Sequence, residues 1–241
     1  MKISILLFLL IINLRAGAQT AEQIINTYIR FIGGEKNWIK IKSLISSGEY
    51  DYGGVSFPFT TYAKAPHFYK FIVPFNNKFY AQGFDGEIGW KIDAFKNETK
   101  PTLPTGKAAL AMANEVDVML ESPFINYKVK RHQLKYEGTE RFADKDFYKV
   151  RLLKKTGEIE TYYFDTANCS LYLKTSAAKN EELQGALLHT YFSDYRKVDN
   201  VTFPFKMLTK SGDQTVLEVT AQNIKLNAEI KAEEFKPASQ N

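Results

Sequence analysis

The sequence predicts a mainly β fold, one large antiparallel sheet with helices over one face. Three observations carry that prediction. Apolar and polar residues alternate through most of Lys64–Trp90, with Tyr69, Phe71 and Val73 on one face and Phe68, Lys70 and Ile72 on the other. A period of two marks half-buried strands. Similar runs recur along the chain between short Gly, Asn and Asp turns, and short links imply antiparallel neighbours rather than crossovers. Only two long stretches, Ala21–Ile32 and Gly106–Glu121, carry helical periodicity.

The N-terminus has the features of a signal peptide spanning residues 1–18. Lys2 supplies the positive start, Ile3–Leu14 is apolar apart from Ser4 and Asn13, and Ala16-Gly17-Ala18 fits the small-x-small cleavage pattern. The apolar run is shorter than the ~20 residues that span a bilayer. Export is therefore expected, with cleavage near Ala18 and a single domain over 19–241. Losing Lys2 and Arg15 leaves 30 basic against 27 acidic residues, a balance too mild to argue for nucleic acid.

Next comes an amphipathic helix over Ala21–Ile32. Ile24, Ile25, Tyr28, Ile29 and Ile32 share a face, Thr20 and Gln23 suit a capping box, and Gly33-Gly34 suits its end. A short second helix is expected over Glu35–Lys42. Strands follow at Ser43–Tyr52 and Val55–Ala63, then through Lys64–Trp90 and at Trp90–Asp93. Pro58, inside the apolar Phe57-Pro58-Phe59, reads as an edge or bulge position because proline cannot donate to a ladder. Asn97–Thr105 is a loop. The Gly106–Glu121 helix places Ala109, Met112, Val116, Met119 and Leu120 on one stripe, and Pro123 stops it. Strands resume at Lys135–Arg141, Phe147–Lys154, Glu158–Asp165, Ser170–Ser176, Ala186–Tyr195, Val201–Thr209 and Thr215–Leu226. The tail after Pro237 is polar. Ten or so strands of this kind twist and curl, so the concave face needs a cover that the two helices can supply.

Signals for chemistry are sparse. His67, His132 and His189 have no ligand-spaced partner, and no GxSxG elbow occurs. Cys169 is alone, so no intrachain disulfide forms. Asp51, Asp85 and Asp93 fall in turns or on strand faces. No cofactor is implied, and an enzyme is not expected. The positive signal is apolar surface. Alternate strand residues give a candidate ligand face of Phe59, Tyr69, Phe71, Trp90, Ile92, Val150, Leu152, Tyr163, Leu173, Phe192 and Phe205. Met112, Val116 and Met119 would be added by the covering helix. Taken alone, these side chains are as well explained by an ordinary core.

Lys64-Ala65-Pro66 with Tyr69, then Phe84-Asp85-Gly86 with Trp90, resembles the LolA-like periplasmic lipoprotein carriers, whose pattern is K-R-P-x-x-F followed by D-G-x-x-x-W. Tyr28–Gly34, Tyr191–Phe205 and Ile224–Pro237 resemble exported Bacteroidetes-type outer-membrane lipoprotein-sorting proteins of the same fold. The resemblance implies an incomplete β-barrel of about eleven strands, with helices as a lid over a cavity for lipoprotein acyl chains. It implies a non-catalytic periplasmic binding and transfer protein, acting as a monomer on lipid or lipoprotein acyl chains. Ala65 stands where the carriers have a lid-bonding arginine, and it donates no side-chain hydrogen bond. Two other readings remain open. One is an envelope regulatory or structural module of this fold with a filled core and a protein partner. The other is a hydrolase.

Overall fold

The structure is a computed structural model that describes residues 19–105, 120, 122–142, 144–178 and 185–237. Two helices precede the sheet, α1 (Ala21–Phe31) and α2 (Glu35–Trp38). Five strands follow: β1 (Ser43–Tyr52), β2 (Val55–Lys64), β3 (Phe68–Phe75), β4 (Lys78–Asp85) and β5 (Gly89–Asp93). After a long connection come β6 (Gln133–Phe142), β7 (Lys145–Leu153), β8 (Ile159–Asp165), β9 (Leu171–Ala177), β10 (Leu187–Val198), β11 (Val201–Ser211) and β12 (Gln214–Leu226).

All twelve pair antiparallel in one sheet, in the order β5-β4-β3-β2-β1-β12-β11-β10-β9-β8-β7-β6. Residues 94–132 alone join strands that are not neighbours, carrying the chain from β5 at one edge to β6 at the other. First and last strands pair in the middle. The result is a closed meander cut open between β5 and β6. Twelve strands stand where the family resemblance implied about eleven.

The sheet curls around its helix, and one buried core runs across it. β3 and β7 lie eight strands apart, ~38 Å in a flat sheet at ~4.8 Å per strand. An 11-residue helix is only ~16 Å long. Yet Ile24, Ile25, Tyr28 and Ile32 share one buried cluster with Ala63 and Tyr69 from β2 and β3 and with Val150 and Leu152 from β7. We call the face that α1 covers the inner face.

Local chemistry sets the helix ends as expected. Thr20 Oγ1 accepts from Gln23 N–H at 3.2 Å, and Gln23 Oε1 accepts from Thr20 N–H at 2.9 Å. Gly33 has a φ of +106°, and a Cβ there would lie 2.3 Å from the Asn200 carbonyl oxygen. Only glycine fits both constraints. α2 ends at Trp38, short of the expected Lys42, because Trp38 turns inward and its indole N–H donates to Ile32 O at 2.8 Å.

Pro58 lies on an interior strand in unbroken register with β1, neither the edge nor the bulge that the sequence suggested. The β2–β3 pairing begins only at Thr60, so Pro58 still has no neighbour on that side. Pro204 follows the same logic, since β11 pairs with β12 only from Lys206 onward. A proline in a central strand thus sits where one neighbour has already departed.

Candidate functional site

Ladder partners share a face, so the register divides the expected apolar residues into two sets. Phe59, Tyr69, Phe71, Val150, Leu152 and Phe192 point inward, opposite Gly48, Ala63, Thr61, Tyr162, Glu160 and Met207 respectively. Phe205 joins them in the core beneath the helices. Trp90 and Ile92 instead lie on the outer face, paired with Gly83 and Ala81. Tyr163 and Leu173 pair with each other, also outside, and pack with Phe147. The expected single face therefore does not hold for these four. Met112, Val116 and Met119 lie outside the described residues.

Burial on the outer side has a cause that strand periodicity does not carry. The C-terminal segment returns across β3–β5. Phe235 is fully buried there, its carbonyl accepts from the Trp90 indole N–H at 2.8 Å, and its ring lies 5.2 Å from Phe68. Lys70, on the face opposite Tyr69 and Phe71, is buried against Glu234 at 2.8 Å. Gly83 leaves room for the Trp90 ring, which a Cβ there would meet at 2.8 Å. Because Trp90 and Ile92 face outward, their alternates Lys91 and Asp93 face inward. Beside this segment is an open groove of about 460 Å³, lined mainly by charged residues of both signs, including Lys70, Glu229, Lys231 and Glu234.

Along the strands, the inner face has two halves. Under α1 it is closed. Phe124, from the end of the long connection, wedges among Tyr28, Tyr162 and Phe164 with ring centroids 4.8–5.7 Å away. Tyr28 is pushed up to about 12 by burial, with a hydrogen bond to Ser122 acting the other way. Toward the β1–β2 hairpin, the inner face carries half-buried rings that touch in series. Phe71 lies 5.3 Å from Tyr50, 5.9 Å from Phe59 and 6.3 Å from Tyr80. Phe95 stacks on Phe75 at 4.1 Å and meets Phe57 and Tyr80 at 5.4 and 6.2 Å. This aromatic mouth sits next to β5, at the start of the connection from β5 to β6.

The sequence reading missed Tyr50, Phe57, Phe75, Tyr80 and Phe95. A signal was there: Phe57 and Phe59, and Phe71, Val73 and Phe75, extend the period of two along one face. Tyr50 is pushed up to about 12, chiefly by burial and then by Tyr80 and Tyr52. Phe95 belongs to a 3-10 turn, Ala94–Lys96, to which no strand periodicity points.

Polar groups on the inner face are few. Lys91 Nζ is 3.1 Å from Asp93 Oδ2 and 5.3 Å from the Tyr80 ring centroid. Glu160 accepts from Tyr162 Oη at 2.6 Å and from Lys154 Nζ at 2.9 Å. Burial pushes its carboxyl up, but Lys174, Lys154 and these hydrogen bonds together hold it below the usual range. Cys169 is buried, and burial pushes its thiol up. Among the described residues no three His, Cys, Asp or Glu side chains converge in a metal-binding group. His132 spends Nδ1 accepting the Lys155 N–H at 3.3 Å.

The arrangement offers apolar contact at a half-open mouth. No family model and no curated relative matches the sequence. Solved structures do resemble it. A DUF1329 family protein from Desulfovibrio piger superposes with a TM-score of 0.59 at 13% identity, over 90% of this chain and 97% of its own. A LolA superfamily protein from Nitrosomonas europaea gives 0.57 at 12% identity, over 91% and 99%. An outer membrane lipoprotein-sorting protein domain from Vibrio parahaemolyticus gives 0.53 at 10% identity, over 89% and 97%. At such identities the likeness is one of fold: the chain has the fold of the LolA superfamily, a curled antiparallel sheet left open between its edge strands.

Proposed function

We propose that this protein is a non-catalytic envelope carrier that holds an acyl chain of a lipid or lipoprotein against the aromatic mouth of its inner face. The supporting observation is the half-buried ring series from Tyr50 through Phe71 and Tyr80 to Phe95, beyond the part of the sheet that α1 and Phe124 fill. Core rings are normally closed on every side, and these are not. The LolA-superfamily fold and the signal-peptide features of residues 1–18 point the same way. Transfer on this reading makes and breaks no bonds. Each methylene removed from water contributes about 0.8 kcal/mol, so an acceptor must offer a similarly apolar surface.

The test is lipid extraction and mass spectrometry of the mature protein purified from its native envelope, together with binding of the neutral apolar probe N-phenyl-1-naphthylamine. Co-purifying acylated molecules and saturable probe binding are expected. Phe71→Asp, which puts a charge into the half-open mouth, should weaken probe binding about tenfold or more while the thermal transition remains cooperative. No lipid and no probe binding would overturn the reading.

A further inference from the structure

The aromatic mouth contains one polar feature that the protein itself leaves incomplete. Asp93 is 5% exposed and lies on the inner face, opposite Tyr80. Its Oδ2 is 3.1 Å from Lys91 Nζ, while its Oδ1 is buried with no hydrogen-bond partner among the described residues. A carboxylate oxygen stripped of water and left without a donor is costly. Such groups are rare in folded proteins and call for an explanation. The Lys91 ammonium bridges from this carboxylate to the Tyr80 ring, which is 6.2 Å from Phe95 and 6.3 Å from Phe71. The open acceptor therefore borders the rings proposed above to hold an acyl chain.

We infer that Asp93 Oδ1 receives the head of the bound amphiphile, and that this head is neutral and carries an O–H or N–H donor. Charge selects neutrality. Lys91 already cancels the Asp93 charge, so an ammonium head would add an uncompensated positive charge at a buried place. A carboxylate head would meet a like charge. A hydroxyl or an amide N–H supplies the missing bond and changes no charge. Two sources share this chemistry: the free hydroxyl of an acylglycerol, and the amide N–H of an N-acyl chain such as a lipoprotein terminus. Phe95, two residues on and 50% exposed, is the ring that moves to admit it. This inference rests on the carrier reading and adds the class of head group.

Competition against N-phenyl-1-naphthylamine with matched twelve-carbon ligands tests it. Dodecan-1-ol and dodecyl methyl ether share the chain and the oxygen, but only the alcohol donates. The wild-type protein should bind the alcohol about tenfold more tightly, the worth of a hydrogen bond to a charged group. Asp93→Leu should bind both with the affinity of the ether. The variant removes an unsatisfied acceptor but also leaves Lys91 without its carboxylate. Lys91 is about a third exposed and can turn to water, so the thermal transition should stay cooperative. Asp93→Asn provides a closer isostere and should shrink the preference without abolishing the fold. Monododecanoylglycerol and dodecanamide then separate the two sources, the tighter one naming the cargo. Equal affinity for alcohol and ether in the wild type, or a preference unchanged in Asp93→Leu, would overturn the assignment and leave the carrier reading standing. Failure of every ligand to displace the probe would overturn both.

Discussion

At the scale of single residues, buried charge is the feature most sensitive to change. Glu160 is held on the inner face by Tyr162, Lys154 and Lys174. Removing its charge leaves those ammonium groups facing a neutral amide in a largely dry place. Glu160→Gln should therefore cost about 3 kcal/mol, seen as a lower urea midpoint with an unchanged slope. The same contacts fix the sign of its pH dependence. Its carboxyl titrates lower in the folded chain than in the unfolded one, so the stabilisation is present above the ordinary carboxylate range. It is lost as the pH falls through the depressed value. An acid titration of stability in which Glu160→Gln and the wild type run parallel would contradict this. Alternation in the sequence revealed which residues of a strand share a face. It did not reveal Glu160 as buried, because the ammonium groups that hold it lie on the β7–β8 turn and on β9.

At the scale of elements, the C-terminal segment acts as an outer clasp. Lys64 Nζ donates to Ile230 O at 2.6 Å, Lys70 pairs with Glu234, and Trp90 donates to Phe235 O. Phe235 fills the space between them. Phe235→Ala should destabilise by about 3 kcal/mol or more, and it should raise the fluorescence response of Trp90 to an aqueous quencher. Little change in either would mean that the clasp is not what closes the outer face. α1 was legible down to its cap, since Thr20, Gln23 and the isoleucine stripe are local. β5 was legible as a strand but not in its orientation. Its apolar side, Trp90 and Ile92, faces outward only because a segment about 140 residues later covers it, and that contact leaves no trace in the local pattern.

At the scale of the whole molecule, the open edges matter most. Among the described residues, ten-residue β6 presents a free ladder on one side, the usual route to unwanted pairing. Its defences are visible. Its exposed residues include Lys135, Glu137, Glu140 and Arg141, and the ladder with β7 is irregular between Tyr136 and Thr139 around Gly138, whose φ is +101°. β5 is partly capped by the bridge between Lys91 and Thr102. The mature protein should run as a monomer in light scattering, and replacing Lys135 and Glu137 together by Val should promote association. A wild-type dimer would show that the open edges are used.

The sequence by itself determined the class, the strands and most of their limits, α1 with its capping box, and which residues of a strand share a face. All of these depend on neighbours within a few residues, through a period of two or of 3.6 and through turn and capping chemistry. Tertiary structure alone decided which face of each strand is inner, that the first and last strands meet, and that the meander stays open between β5 and β6. It also brought Tyr50, Phe71, Tyr80 and Phe95 into one mouth and set a half-satisfied Asp93 beside them. Those outcomes depend on curl and on contacts between residues more than a hundred positions apart, where alternation says which residues travel together but not which way they face.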